Sequence, residues 1–213
     1  MVEVALNQRV GRINDIIIAG VGGQGSITTM RILTSLFLAQ GWQVKASEVH
    51  GMAQRGGSVE THVRRGRIVY SPLVSFGKAD MILALEQLEC LRYLPWMKKG
   101  GLCVTSDERI MPVTVTLGGE KYPEDAKEKA MRKAGILVWV EASKIAKEAG
   151  NAKASNVALL GASSPFLDAS EEEWERAIRA SVSDKTLNAN MSAFWMAREL
   201  TLKHLSSEGR AIE

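Results

Sequence analysis

Between residues 47 and 60 the chain reads Ser47-Glu48-Val49-His50-Gly51-Met52-Ala53-Gln54-Arg55-Gly56-Gly57-Ser58-Val59-Glu60. Glu48, His50, Gln54 and Arg55 place an acid, an imidazole, an amide and a fixed cation within one short stretch. Imidazole titrates near neutrality without help, so His50 is a candidate proton carrier, with Glu48 and Arg55 close enough in sequence to hold its tautomer. An ordinary loop histidine bonded to nearby backbone is the competing reading. Arg55 has the forked geometry that clamps a carboxylate or phosphate, and the same fork would equally serve an ion pair across a subunit interface. A polar, glycine-rich connection of this length costs backbone entropy and returns little apolar burial, so contact with something outside the core is the expected reason for it.

A second stretch, Gly20-Val21-Gly22-Gly23-Gln24-Gly25, fits the spacing GxGxxG. Glycines there permit a tight turn and close approach of the backbone to a phosphate, whose charge a helix N-terminus favours. The residues leave three roles open: a turn that merely packs closely, a dinucleotide site with Glu48 on the ribose, or a cradle for an anionic group supplied by a cofactor or partner. Against the dinucleotide reading stand the fourth glycine, the Gln24 amide and the polar stretch after Glu48, which would crowd an adenosine ribose.

These stretches need elements to position them. Asp15 to Gly20 is a β-branched run of the kind buried on both faces of a parallel sheet, and Ser26 to Gln40 has the apolar face of a helix closed by Gly41. Trp42 to Ser47 predicts a second strand, paired parallel to the first through a right-handed crossover. Ser58 to Arg64 predicts a strand with Val59, Thr61 and Val63 on a core face and Glu60, His62 and Arg64 opposite, turning at Arg65-Gly66-Arg67 into a returning strand, Ile68-Val69-Tyr70. Further strands are expected at Met81–Leu85, Leu102–Thr105 and Ile136–Val140, and an insertion or edge hairpin at Asp107–Gly119. Helices follow at Pro123–Ala134, Ala142–Ala149 and Val157–Ser163, then one opened by the capping box Ser170/Glu173 and a last one capped by Asp184. Met1 to Gly11 reads as a polar lead. The sum is an α/β chain: a Rossmann-like, doubly wound mixed sheet with a C-terminal helical layer from about residue 153, all within one domain, 1–213. Strand direction then puts the glycine stretch and the 47–60 stretch on the same edge, where ligands bind in such sheets.

Composition narrows the partners. Apolar residues make up 46% and charged residues 24% of 213, and a net charge of +3 from 27 basic and 24 acidic residues does not suggest a nucleic-acid surface. No apolar run reaches the roughly 20 residues that span a bilayer, and the first residues lack a secretory pattern, so a cytoplasmic protein is expected. Cys90 and Cys103 are far from any CxxC spacing and are expected to be core thiols; no metal site is expected in this chain.

Ile18-Ala19-Gly20-Val21-Gly22-Gly23-Gln24-Gly25, followed by Ser47 to Val59 with its His-Gly-Met-Ala-Gln-Arg-Gly-Gly order, resembles the gamma-type subunits of the 2-oxoacid:ferredoxin oxidoreductases, the indolepyruvate type among them. Lys78-Ala79-Asp80 entering a strand that ends at Glu86, and the helix carrying Asn156, fit the same pattern. The resemblance implies an accessory subunit, inactive alone, in an enzyme that decarboxylates a 2-oxoacid, passes the acyl group to coenzyme A and two electrons to ferredoxin. Thiamine diphosphate, magnesium and iron-sulfur clusters would lie in a larger catalytic partner, and none would be bound by this chain alone. Gly20, Gly22, Gly23, Gln24, Gly25, Gln54, Gly56 and Gly57 become candidate binding positions, and Glu48, His50 and Arg55 candidate catalytic ones. A free-standing NAD-binding oxidoreductase or a nucleotide-sensing module is the alternative.

Overall fold

The computed structural model describes residues 1–6, 11–50 and 56–207. Gln54 and Arg55 lie outside the described residues. The strands are β1 (Val2–Leu6), β2 (Asp15–Val21), β3 (Gln43–His50), β4 (Ser58–Gly66), β5 (Ala79–Ala84), β6 (Met97–Ser106) and β7 (Ile136–Val140). They form one mixed sheet in the order β1-β7-β6-β5-β2-β4-β3. The central β2, β5, β6 and β7 are parallel, β4 runs antiparallel to both β2 and β3, and β1 runs antiparallel to β7.

Successive residues of the central strands serve opposite cores, as period-two geometry requires. Ile16, Ile18, Leu83, Val104 and Val138 meet α1 (Ser26–Ala39), α5 (Ala142–Glu148), α6 (Ser155–Ser163), α7 (Glu171–Arg179) and α8 (Asp184–Ser207). Ile17, Ala19, Ile82, Cys103 and Leu137 face α2 (Gln87–Tyr93) and α4 (Ala126–Lys133). Phe194 is buried and Met191 and Trp195 are partly buried in the first core. Cys90 and Cys103, distant in sequence, touch in the second core with their sulfurs 3.5 Å apart. No helix among the described residues is long and apolar enough to cross a membrane.

Local signals behave as expected where they are self-contained. Gly41 takes φ 81°, and the Gly41 and Trp42 N–H groups donate to Leu38 and Phe37 carbonyls, the Schellman arrangement that ends α1. Ser170 and Glu173 make a reciprocal capping box on α7.

Several expectations are corrected. β3 is not paired with β2, because β4 lies between them; Val21 is opposite Ser58 and His50 is opposite Val59. The hairpin partner of β4 is β3, while residues 68–70 form no strand: Gln43 Oε1 takes the Val69 N–H and Arg64 holds the carbonyls of Ser71 and Leu73, folding the segment across the β4 face. The β4 face opposite the core is therefore covered over His62 and partly covered over Glu60 and Arg64. His62 is buried, accepts the Val74 N–H at Nδ1 and stacks edge-on against Trp96, and Arg64 pairs with Asp15 at 2.8 Å. Arg65 belongs to the strand and not to a turn: it is buried against the Phe37 and Trp42 rings, with Nε on the Ile13 carbonyl, and burial lowers its pKa.

The supposed polar lead contains β1, whose Val2 and Val4 are buried. Residues 107–119 contain no strand, only the four-residue α3 (Val113–Thr116) in a segment pinned by the fully buried Glu86, which accepts the Ile110 N–H and the Tyr122 hydroxyl. Burial, reinforced by that carboxylate, raises the Tyr122 pKa. Asp184 is the first residue of α8 rather than its cap; the preceding Ser183 carbonyl takes the Thr186 N–H.

The approach of α6 to α8 is close enough to exclude a methyl group: a Cβ at Gly161 would fall 2.1 Å from the Phe194 carbonyl oxygen. Gly161→Ala is expected to destabilise the chain by about 1–3 kcal/mol, the range for overpacking, or more because the obstructing atom is backbone. Urea unfolding measures this, and an unchanged midpoint would contradict the packing described.

Candidate functional site

The site is built from the turn that leaves β2. Gly20 ends the buried run, and a Cβ there would meet Leu85 Cδ1 at 3.0 Å and Gln24 Oε1 at 3.1 Å. The Gln24 amide closes the turn. Its Oε1 accepts the Val21 N–H at 2.7 Å, and its Nε2 donates to the Leu85 carbonyl at 3.0 Å and to Glu108 at 3.2 Å. Gln24 thus fastens the turn to the end of β5 and to the segment after β6; its polar atoms are committed within the chain. Gly20 likewise faces packing, not open space.

Gly23 and Gly25 adopt φ 102° and 91°, a region that side chains rarely enter. Among the described residues nothing lies within 4 Å of where a Gly23 Cβ would stand, which leaves its backbone open to a visitor. A Cβ on Gly25 would collide with Asn156 Nδ2 at 2.7 Å. That amide donates to the Gly25 carbonyl at 3.0 Å and to Thr29 Oγ1 at 3.3 Å, clamping the start of α6 to the start of α1. Gly25 is the N-cap of α1, no side chain caps that end, and its first turn carries no acid. The helix therefore presents the positive end of its dipole to this edge, where the nearby acid is Glu48 from β3.

The second stretch arrives at the same edge. The Gly22 N–H donates to the Gly57 carbonyl at 2.9 Å, and Ser26 Oγ reaches Glu48 Oε2 at 3.4 Å. Gly56 takes φ 73°. His50 closes β3 and, with Glu48, Gly22, Gly23, Gly25 and Ser26, lines a cleft of about 460 Å³. On the other side of the glycine turn a second cleft of about 540 Å³ is bounded by Gln24, Glu108, Lys153, Asn156, Ser183 and Asn190. Among the described residues, no group of three His, Cys, Asp or Glu side chains is placed to hold a metal ion.

The structure so brings together Gly22, Gly23, Gly25, Glu48, His50, Gly56 and Gly57. Glu48 does not stand where a dinucleotide site needs its acid. The strand beside β2 on this side is the antiparallel β4, and β3 is displaced by a further strand spacing, about 4.8 Å. Lys153 and Glu108 escaped sequence reasoning. A lysine ahead of the Asn156 helix was a faint signal for the first; nothing in a β-branched and polar run marked the second.

A family model described as "Pyruvate ferredoxin/flavodoxin oxidoreductase" matches residues 15–200. The chain is 45% identical over 185 residues to "Indolepyruvate oxidoreductase subunit IorB" of Thermococcus kodakarensis, covering 84% of this chain and 92% of that protein. The protein of the same name from Archaeoglobus fulgidus is 42% identical over 189 residues. In fold, the chain is similar to a keto/oxoacid ferredoxin oxidoreductase gamma subunit from Geobacter sulfurreducens, with TM-score 0.67, 24% identity, and coverage of 89% of this chain and 99% of that one. It is also similar to part of a 2-oxoglutarate:ferredoxin oxidoreductase from Magnetococcus marinus, with TM-score 0.67 and 20% identity, where it covers 91% of this chain and 32% of that one. With the match spanning nearly the whole sheet and the helices behind it, the chain belongs to the pyruvate ferredoxin/flavodoxin oxidoreductase family.

Proposed function

We propose that the glycine turn, with Glu48, His50 and Gly57 beside it, forms one wall of an active site housed mainly in a larger subunit. The observation that carries this is the shared edge: Gly22 bonded to Gly57, with Glu48 and His50 facing the open backbone of Gly23 across one cleft. The chain is an accessory subunit of a 2-oxoacid:ferredoxin oxidoreductase, and a free-standing NAD-dependent enzyme is not favoured, since the relatives are oxidoreductase subunits. The similarity to indolepyruvate oxidoreductase subunits supports an arylpyruvate as the 2-oxoacid.

The larger subunit would carry thiamine diphosphate with its magnesium, which supplies the decarboxylation, and the iron-sulfur clusters that lead to ferredoxin. Cys90 and Cys103, the chain's two cysteines, are buried against each other in the core, which does not suit cluster ligands. Coenzyme A is the co-substrate. The uncapped start of α1, flanked by Gly23 and Gly25, suits one of its phosphate groups, because an anion there meets N–H donors and a favourable dipole. His50, whose imidazole lines the cleft, is the candidate proton carrier there.

Co-expression with the larger subunit tests this reading. The pair is expected to reduce ferredoxin only with both an arylpyruvate and coenzyme A present, and this chain alone is expected to show neither turnover nor saturable NADH binding. Full activity of the larger subunit without this chain would overturn it. In the assembled pair, His50→Ala is expected to lower kcat by about a hundredfold or more, the range for loss of an acid–base group. Ser26→Asp, which puts a carboxylate at the start of α1, is expected to raise the KM for coenzyme A by about tenfold, corresponding to roughly 1.4 kcal/mol. Steady-state kinetics checks both. Gln24→Ala strands the Val21 N–H and the Leu85 carbonyl and should cost about 1–3 kcal/mol in urea unfolding.

A further inference from the structure

A carboxylate lies buried beneath the joint between the two loops. Ser58, the first residue of β4, pairs with Val21 and follows Gly57, whose carbonyl holds the Gly22 N–H. The Ser58 hydroxyl donates to Glu89 Oε2 on α2, and Arg92 Nη1 donates to Glu89 Oε1 at 2.8 Å. The Glu89 side chain is only 4% exposed. Joining a serine hydroxyl to a helix needs no charge, and burying one is costly, so packing alone does not account for an acid here. What an ionised carboxylate adds is a stronger, charge-assisted hold on the hydroxyl.

We propose that Glu89 is a positioning residue for the loop edge: as a carboxylate it grips Ser58, fixes the entry of β4, and so holds the Gly57–Gly22 joint that sets the two loops against each other. The proposal rests on the reading that this edge completes the active site of the larger subunit. Protonation of Glu89 weakens both the Ser58 bond and the Arg92 pair, and the joint loosens.

The groups facing Glu89 fix the direction of the pH dependence. Burial raises its pKa above the ordinary carboxylate range, the Ser58 bond and Arg92 oppose that rise, and Glu86 adds to it. Tyr93 stands beside Glu60 and Ser58, and burial raises its pKa, so it stays neutral. Beyond Glu60, His62 stands with Nε2 at 3.5 Å. Two opposite trends follow. The joint tightens as pH rises through the raised Glu89 pKa. Overall stability runs the other way: a group that binds its proton more tightly folded than unfolded contributes stability below its unfolded pKa and loses it as pH rises through the folded value.

The test uses the assembled complex with Glu89→Gln, Glu89→Ala and Ser58→Ala, reading kcat and KM against pH together with hydrogen exchange of the peptide containing Gly22. Wild type is expected to lose kcat on the acid side as Glu89 protonates. Glu89→Gln keeps an acceptor for Ser58 and cannot titrate, so that acid limb and the matching slope of stability with pH should both disappear. Glu89→Ala and Ser58→Ala should lower protection of the Gly22 amide about tenfold while the complex stays assembled. Wild-type exchange in both alanine variants, or an unchanged acid limb in Glu89→Gln, would overturn the proposal. If His50→Ala and Ser26→Asp lose activity while the Glu89 and Ser58 variants do not, this inference alone fails. If all of them retain wild-type activity, the reading of the loop edge fails with it.

Discussion

The insertion of β4, antiparallel, between β2 and β3 is the constraint on which the ligand edge depends. In a purely parallel sheet β3 would lie against β2, and the end of each strand would open on its own turn. With β4 interposed, the end of β3 and the start of β4 both stand at the end of β2, Val59 opposite His50 and Ser58 opposite Val21. The glycine turn and the 48–57 stretch are thereby obliged to touch, and the Gly22–Gly57 hydrogen bond is the point of contact. The same insertion removes the geometry of a ribose-binding acid from Glu48 and turns that residue toward Ser26.

Around this contact the polar side chains act as fasteners between elements. Gln24 joins β2, β5 and the segment after β6; Asn156 joins α6 to α1; Glu86 joins the start of α2 to residues 110 and 122. Each is an amide or carboxylate with several oriented bonds in partly or wholly buried surroundings, where an unmet donor or acceptor is costly. They hold still a region that contains four glycines within six residues, Gly20 to Gly25, beside Gly56 and Gly57, and that would otherwise have little side-chain packing to fix it.

Much of the framework was legible because it is written in local patterns. Ile16 to Ala19 alternates between two cores, Gly41 ends a helix, and Ser170 with Glu173 begins one; each signal is complete within a few residues. The errors arose where a partner lies far along the chain. Ile68-Val69-Tyr70 has strand composition, but Gln43 and Arg64 hold it across β4 instead, and Val2 and Val4 form a strand because β7 is there to receive them. At the site, the residue types of Glu48 and His50 and the direction of the strands were enough to place both on one edge. That Gln24 spends its amide on Leu85 and Glu108, and that Glu89 lies beneath Ser58, depend on packing between distant elements and left no mark in the sequence.

The pairing of β1 with β7 bears on how the chain is made. Leu6 lies opposite Ile136 and Val2 opposite Val140, so an early strand waits for one of the last to be synthesised. At about 5–20 residues per second the interval is roughly 7–26 seconds, far longer than the collapse of the segments in between. During that time Val2 and Val4 have no sheet to join, and the intervening strands can assemble without them. Closure of this side of the sheet is then a late event that draws together segments some two thirds of the polypeptide apart, and a nascent chain held before Ile136 would carry an unmated apolar strand for chaperones to shield.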